Sequence, residues 1–221
     1  MASVERERVG STEVDLAGPV NLQVPRAVLR MCFDASLAAV ILVLLSPLLA
    51  IVAIMIRLDS QGPALFRQTR TGLSGHTFLI FKFRTMRVQE DGAVVHQAQR
   101  GDSRLTSLGA ILRKTSLDEL PQLLNVLRGD MALVGPRPHA LAHDSHYGAK
   151  IPSYRQRFAV RPGITGWAQI NGSRGATPEI SDMQRRIDLD LWYVENRSFA
   201  LDFKILIATA LHILPSWSDA Y

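Results

Sequence analysis

The 221-residue chain predicts an α+β fold, mainly helical, with an N-terminal membrane hairpin and amphipathic surface helices. Three observations carry this. Residues 35–56 form a run of 22 residues without a charge, interrupted in its middle by Ser46-Pro47. One segment, Thr77–Arg84, alternates large apolar residues with others in the manner of a strand. Most of the remaining apolar pattern recurs at spacings of three and four, the helical period.

Residues 1–28 mix Glu, Arg, Ser, Gly and Pro without apolar period and read as a flexible tail. The apolar run begins too late for a secretory signal. Residues 29–60 form the membrane segment. As a straight helix the uncharged run would measure about 33 Å, enough to span a ~30 Å hydrocarbon core. Pro47, however, removes a backbone donor at the midpoint, and the Ser46 hydroxyl is placed to satisfy a carbonyl freed there. Basic residues flank both ends, with Arg26 and Arg30 before and Arg57, Arg67 and Arg70 after. The positive-inside rule puts both ends on the cytoplasmic side, which favours a re-entrant helix-break-helix over a spanning helix.

Residues 61–221 follow as a single domain. Gln61-Gly62-Pro63 is a turn into the strand region, and residues 88–103 are polar and read as a loop. Helical period returns at Leu105–Leu112 and at 117–127, where Leu117, Leu120, Leu124 and Leu127 share one face and Gly129 stops the helix. Gly135-Pro136-Arg137-Pro138 is a stiff extended or turn segment. Residues 181–195 are helical, and Phe203–Leu214 is a short amphipathic helix ended by Pro215.

Composition narrows the function. Residues 57–90 and 121–165 each carry six Lys/Arg against two acids, within a chain of net charge +5, so an anionic partner is expected. The basic blocks hold few aromatics and no nucleic-acid-binding motif, which argues against nucleic acid. A single cysteine, Cys32, excludes an intrachain disulfide, and no Cys/His zinc pattern or P-loop is present.

The chemistry-bearing stretch is Arg113–Gln122. Thr115 or Ser116 is placed to N-cap a helix with Glu119 completing a capping box, and Asp118 and Glu119 would then be ordinary first-turn acids. Their company suggests more. An adjacent acid pair among basic residues suits metal-assisted phosphoryl transfer, with one carboxylate attacking phosphorus. Lys82, Arg84, Arg113 and Arg137 are candidates for gripping phosphates, Arg137 being held between two prolines. His139, His143 and His146, at helical spacing, are a weaker metal-ligand candidate. Within Arg161–Gly172, the side chains of Trp167, Gln169 and Asn171 face either core or ligand.

Five of these pieces in order, the Ser46-Pro47 hairpin, Lys82–Met86, Asp118–Gln122, Gly135–Pro138 and Arg161–Trp167, resemble the monotopic bacterial polyprenol-phosphate phosphoglycosyl transferases, the initiating sugar transferases of exopolysaccharide and capsule synthesis. The resemblance covers about residues 27–215. It implies transfer of a hexose-1-phosphate from a UDP-hexose to undecaprenyl phosphate, with release of UMP. Asp118 would be the nucleophile and Glu119 its partner in handling Mg²⁺. The matching basic positions are Lys82, Arg113 and Arg137; Arg84, Gln169 and Asn171 are substrate-binding candidates from the residues themselves. The small catalytic domain would sit on inner-membrane lipids at the cytoplasmic face. Pro138–His143 is similar to the glucose-1-phosphate subgroup, with galactose as second choice. The resemblance leaves a homodimer open, and a non-catalytic membrane scaffold is the alternative to the enzyme.

Overall fold

The computed structural model describes residues 23–87 and 102–213. The expected tail up to residue 22, most of the expected 88–103 loop, and the Pro215 helix stop lie outside the described residues. What is described is mainly helical, with two small two-stranded sheets.

The first element, α1, runs from Gln23 to Asp59 and is the one helix among the described residues long and apolar enough to cross a membrane. It differs from the expected helix-break-helix, because the α-helix continues through Pro47. The local chemistry explains how. Pro47 offers no N–H to the Val43 carbonyl four residues back, and the Ser46 hydroxyl donates to that oxygen at 2.8 Å instead. A polar group that would cost several kcal/mol in hydrocarbon is thereby satisfied.

Both arms of α1 pack against the rest of the molecule. Ala38 is buried in the main core with Ile80, Leu123, Val126, Met131 and Leu133, whereas Val52 and Ile56 lie in a second cluster with Phe83 and Leu112. Each end is also tied by polar contacts. Arg30 pairs with Asp202 at 2.7 Å, and Arg161 with Asp34 at 3.2 Å. At the other end Arg84 donates to the carbonyls of Ile56 (3.3 Å), Ser60 (2.6 Å) and Gln61, in the last turn of α1 and just beyond it. Between these anchors Val43 and Leu44 are each 72% exposed.

Strands β1 (Leu65–Thr71) and β2 (Thr77–Phe83) form an antiparallel hairpin in which Phe66 faces Lys82. The other edge of β2 is closed by a side chain. Asn125, fully buried on α3 (Leu123–Leu127), accepts from Phe81 N at 3.0 Å and donates to Leu79 O at 2.7 Å. It thus imitates a neighbouring strand and brings the hairpin against the turn that precedes α3.

That turn departs from the expected helix over 117–127. Helix α2 (Ser107–Thr115) is N-capped by Thr106, whose hydroxyl accepts from Gly109 N at 2.9 Å. It ends at Ser116 in the left-handed conformation (φ 59°). A 3₁₀ helix, Leu117–Gln122, follows before α3 begins. Its tighter winding, three residues per turn, shifts the phase of the apolar face. Leu123 and Val126 are therefore buried, whereas Leu124 and Leu127 are 37% and 43% exposed. Gly129 (φ 81°) supplies the stop beyond α3, as expected.

Strand β3 (Ala132–Val134) pairs in parallel with β4 (Gly163–Thr165), and the close approach continues as Gly135 N donates to Thr165 O at 2.9 Å. A Cβ at Gly135 would overlap the Arg161 carbonyl, so only glycine lets the two segments meet. Helix α4 (Leu141–Gly148) and a 3₁₀ turn at Tyr154–Ala159 lie between them, and α5 (Trp167–Ile170), α6 (Ile180–Asn196) and α7 (Phe199–Ile213) complete the domain. Helix α6 stands where the sequence predicts it, whereas α7 begins at Phe199, four residues before the expected start at Phe203.

Candidate active site

Three segments converge on Asp118 and Glu119: β2 brings Lys82, the 3₁₀ helix carries the acids, and the turn leaving β3 brings Arg137. Glu119 is not a capping acid. Its Oε1 accepts from Lys82 Nζ at 2.8 Å and Arg137 Nη2 at 2.6 Å, and its Oε2 from Arg137 Nη1 at 3.0 Å. The arginine contact is bidentate, the geometry in which a guanidinium fork holds a carboxylate most firmly. Ser116, moreover, makes no side-chain cap, and the Thr115 hydroxyl donates back to Ile111 and Leu112 carbonyls.

Asp118 is the contrasting member. It is 8% exposed and accepts no hydrogen bond among the described residues. Burial, reinforced by the Glu119 charge, pushes its carboxyl up to about 6, against the pull of Lys82, Arg113 and Arg137. Burial also pushes Glu119 up, but Arg137 and Lys82 outweigh it and hold the group well below the ordinary carboxylate range. Burial lowers the Lys82 ammonium, with Glu119 opposing. One acid is thus locked in an ion-paired cluster, and its neighbour is a desolvated carboxylate without a hydrogen-bonding partner. Environments that drive two adjacent acids apart assign them different roles.

The other predicted residues divide. Arg113 on α2 donates through Nε to Thr85 Oγ1 at 2.9 Å and lies close enough for its charge to act on Asp118. Arg84 stands apart, since both its terminal nitrogens are occupied by the carbonyls ending α1. Gln169 donates to Ile164 O at 3.1 Å and Asn171 to Trp167 O at 2.8 Å, so both brace the local turn. Trp167 stacks on Trp192, ring centroids 4.5 Å apart, with Lys204 over its ring. The three histidines do not converge on a metal, and no group of three or more metal-ligating side chains exists among the described residues. His146 contacts Lys150, while His139 is buried between Arg157 and Tyr154.

The sequence reading missed the layer behind Arg137. Arg157, Asp190, Asp144 and Tyr154 form a buried polar network there, and nothing in their spacing announced it. The only signal available was an excess of arginine at 155, 157 and 161.

The model of the bacterial sugar transferase family matches residues 25–216. The chain belongs to that family. Among its relatives, a Caulobacter vibrioides protein named UDP-glucose:undecaprenyl-phosphate glucose-1-phosphate transferase is 55% identical over 192 residues, 87% of this chain and 72% of that protein. An Escherichia coli protein of the same name is 49% identical over 82% of this chain, and an Aeromonas hydrophila UDP-N-acetylgalactosamine-undecaprenyl-phosphate N-acetylgalactosaminephosphotransferase is 39% identical over 85%. This sugar transferase spans only 39% and 44% of those two longer relatives. The family match takes in nearly all of α1, the acid pair and the network behind Arg137.

Proposed function

We propose that the chain transfers glucose-1-phosphate from UDP-glucose to undecaprenyl phosphate, releasing UMP, and does so through a covalent intermediate on Asp118. The observation that carries this reading is the asymmetry of the acid pair in a bacterial sugar transferase: Asp118 is desolvated and unbonded, while Glu119 is gripped by Lys82 and Arg137. A carboxylate without hydrogen-bonding partners is the better nucleophile of the two. Its oxygen attacks the phosphorus that bears glucose, forming an acyl-phosphate bond as the bond to the UMP oxygen breaks. An oxygen of undecaprenyl phosphate then attacks the same phosphorus, and the Asp118 carboxylate is regenerated. Two steps replace one that would need a soluble and a lipid substrate bound together. Lys82, Arg113 and Arg137 supply the positive charge that holds the phosphates in line.

Asp118 and Glu119 Oε2, which receives a single hydrogen bond, are adjacent hard oxygen donors, the set that Mg²⁺ takes together with substrate phosphates and water. Bound there, Mg²⁺ would offset the repulsion between carboxylate and diphosphate. The choice of glucose rests on the names of the relatives and on Pro138–His143.

For the membrane we infer a re-entrant path for α1, on the cytoplasmic face of the inner membrane, with Pro47 kinking the continuous helix rather than breaking it. Arg30 and Asp34 at one end, and Ile56, Ser60 and Gln61 at the other, hold partners on the same domain. Ends tied to one domain are on one side of the bilayer, and the flanking arginines make that side cytoplasmic. Helix α7 contributes Phe203, Ile207 and Leu211, spaced by four and 61%, 46% and 59% exposed, an apolar stripe suited to the same interface.

The test is incubation of purified protein with UDP-glucose and Mg²⁺, without lipid acceptor. About one equivalent of UMP and a hexose-phosphate adduct at Asp118 are expected, with ping-pong kinetics once undecaprenyl phosphate is added. Intersecting initial-rate lines, or turnover by Asp118→Asn, would refute the covalent route.

A further inference from the structure

Arg137 reaches Glu119 from a backbone that is itself held from behind. Arg157, 2% exposed on the 3₁₀ turn Tyr154–Ala159, donates through Nη2 to the Arg137 carbonyl at 2.6 Å and through Nη1 to His139 Nδ1 at 2.8 Å. One guanidinium therefore grips the chain on both sides of Pro138. Arg70 adds a contact from Nη1 to the Pro138 carbonyl at 3.4 Å. Arg157 is in turn anchored on α6, where Asp190 Oδ2 accepts from its Nε at 3.1 Å and its Nη2 at 2.7 Å; the side chains of this pair are 1% and 2% exposed.

Burying an ion pair this deeply is not an efficient way to stabilise a fold, because the desolvation penalty offsets most of the attraction. What the pair provides is direction. The planar fork of arginine meets three acceptors at fixed angles, which a lysine ammonium cannot reproduce. His139 fits as an acceptor because it is neutral, burial and the surrounding arginines Arg157, Arg186, Arg70 and Arg137 holding its pKa well below the ordinary value.

We propose that Arg157, anchored by Asp190, is a positioning residue for the transfer reaction: by fixing the Arg137 carbonyl and the His139 ring it aims the Arg137 guanidinium at Glu119. The inference rests on the reading of Asp118 and Glu119 as the reacting centre. Neither Arg157 nor Asp190 touches substrate; both act through Arg137.

A double-mutant cycle separates this from a merely structural role. UMP release from UDP-glucose with undecaprenyl phosphate and Mg²⁺ is measured for wild type, Arg157→Lys, Arg137→Lys and the double variant. Arg157→Lys alone is expected to lower kcat/KM by about 10-fold or more, whereas in the Arg137→Lys background it should lower it by less than about 3-fold, since the group being aimed is already changed. Asp190→Asn, which keeps shape and leaves Arg157 in place, is run through the same cycle and decides the matter if Arg157→Lys does not fold. Effects that multiply in the double variants, or wild-type kcat/KM in the single ones, overturn the positioning role. A wild-type chain that releases no UMP refutes the functional reading itself, and the inference falls with it.

Discussion

Asp118→Asn should make the protein inactive and more stable. The folded chain keeps the Asp118 carboxyl buried beside Glu119, raising its pKa from 3.8 to about 6. Raising a carboxyl pKa by one costs the ionised form about 1.4 kcal/mol, so at pH 7 the charged Asp118 costs the fold about 3 kcal/mol. The sign follows from proton counting. Between pH 4 and 6 the folded state holds a proton at Asp118 that the unfolded chain has released, so the Asp118 contribution to stability falls as pH rises through that window. Asparagine does not titrate, and the advantage of Asp118→Asn should grow from near zero at pH 4 to its full value at pH 7. For a chain of this size that is a rise of roughly 6–12 °C in melting midpoint. The assay is a pair of thermal scans at fixed rate, in one detergent with EDTA, at pH 4, 5, 6 and 7. An unchanged midpoint at pH 7, or a difference that does not depend on pH, would show that Asp118 is not the desolvated, uncompensated group described above.

Arg137→Lys keeps the charge but loses the two-pronged contact to Glu119, and UMP release should fall roughly 10- to 100-fold, the worth of a charge-assisted hydrogen bond. Chelation with EDTA should abolish UMP release and Mg²⁺ should restore it; full activity in chelator would exclude the metal from the reaction. With Cys32 replaced by serine, cysteines at positions 22 and 62 should both be labelled only from the cytoplasmic side, and periplasmic labelling of position 22 would exclude the re-entrant path. Gly109→Ala would drive a Cβ into the Thr85 backbone, and should destabilise the fold by about 1–3 kcal/mol and misplace Arg113 through its bond to Thr85, read as a lower melting midpoint with reduced kcat.

How much of this was legible in the sequence depends on the range of the interaction. The apolar run of α1, the β2 strand, the two C-terminal helices and the pairing of Ser46 with the carbonyl that Pro47 leaves open follow from local periodicity and local chemistry. The acid pair and three of its basic neighbours were also readable, because their motifs are short and contiguous. The 3₁₀ winding of Leu117–Gln122 was not, since leucines spaced by three and four look the same until Ser116 turns left-handed. Arg84 was misleading for a related reason. Its spacing from Lys82 placed it beside the phosphate candidates, yet on β2's exit the guanidinium meets the carbonyls ending α1. The network of Arg157, Asp190 and His139 joins residues 18 to 33 positions apart and could emerge only from the fold.

The anchoring of α1 at both ends also has a consequence in time. Arg30 and Asp34 leave the ribosome long before their partners, which lie 172 and 127 residues downstream. At roughly 5–20 residues per second the delay before Asp202 appears is about 9–34 s, whereas a helix forms in about a microsecond. The apolar helix therefore meets lipid while it has no domain to hold it, and only its flanking arginines yet bear on which side its two ends belong. Its final placement is fixed only when Arg161 and Asp202 arrive. A nascent chain halted at residue 87, retaining Arg84 but neither of those two, is a different membrane object from the finished protein, with one end moored and the other adrift.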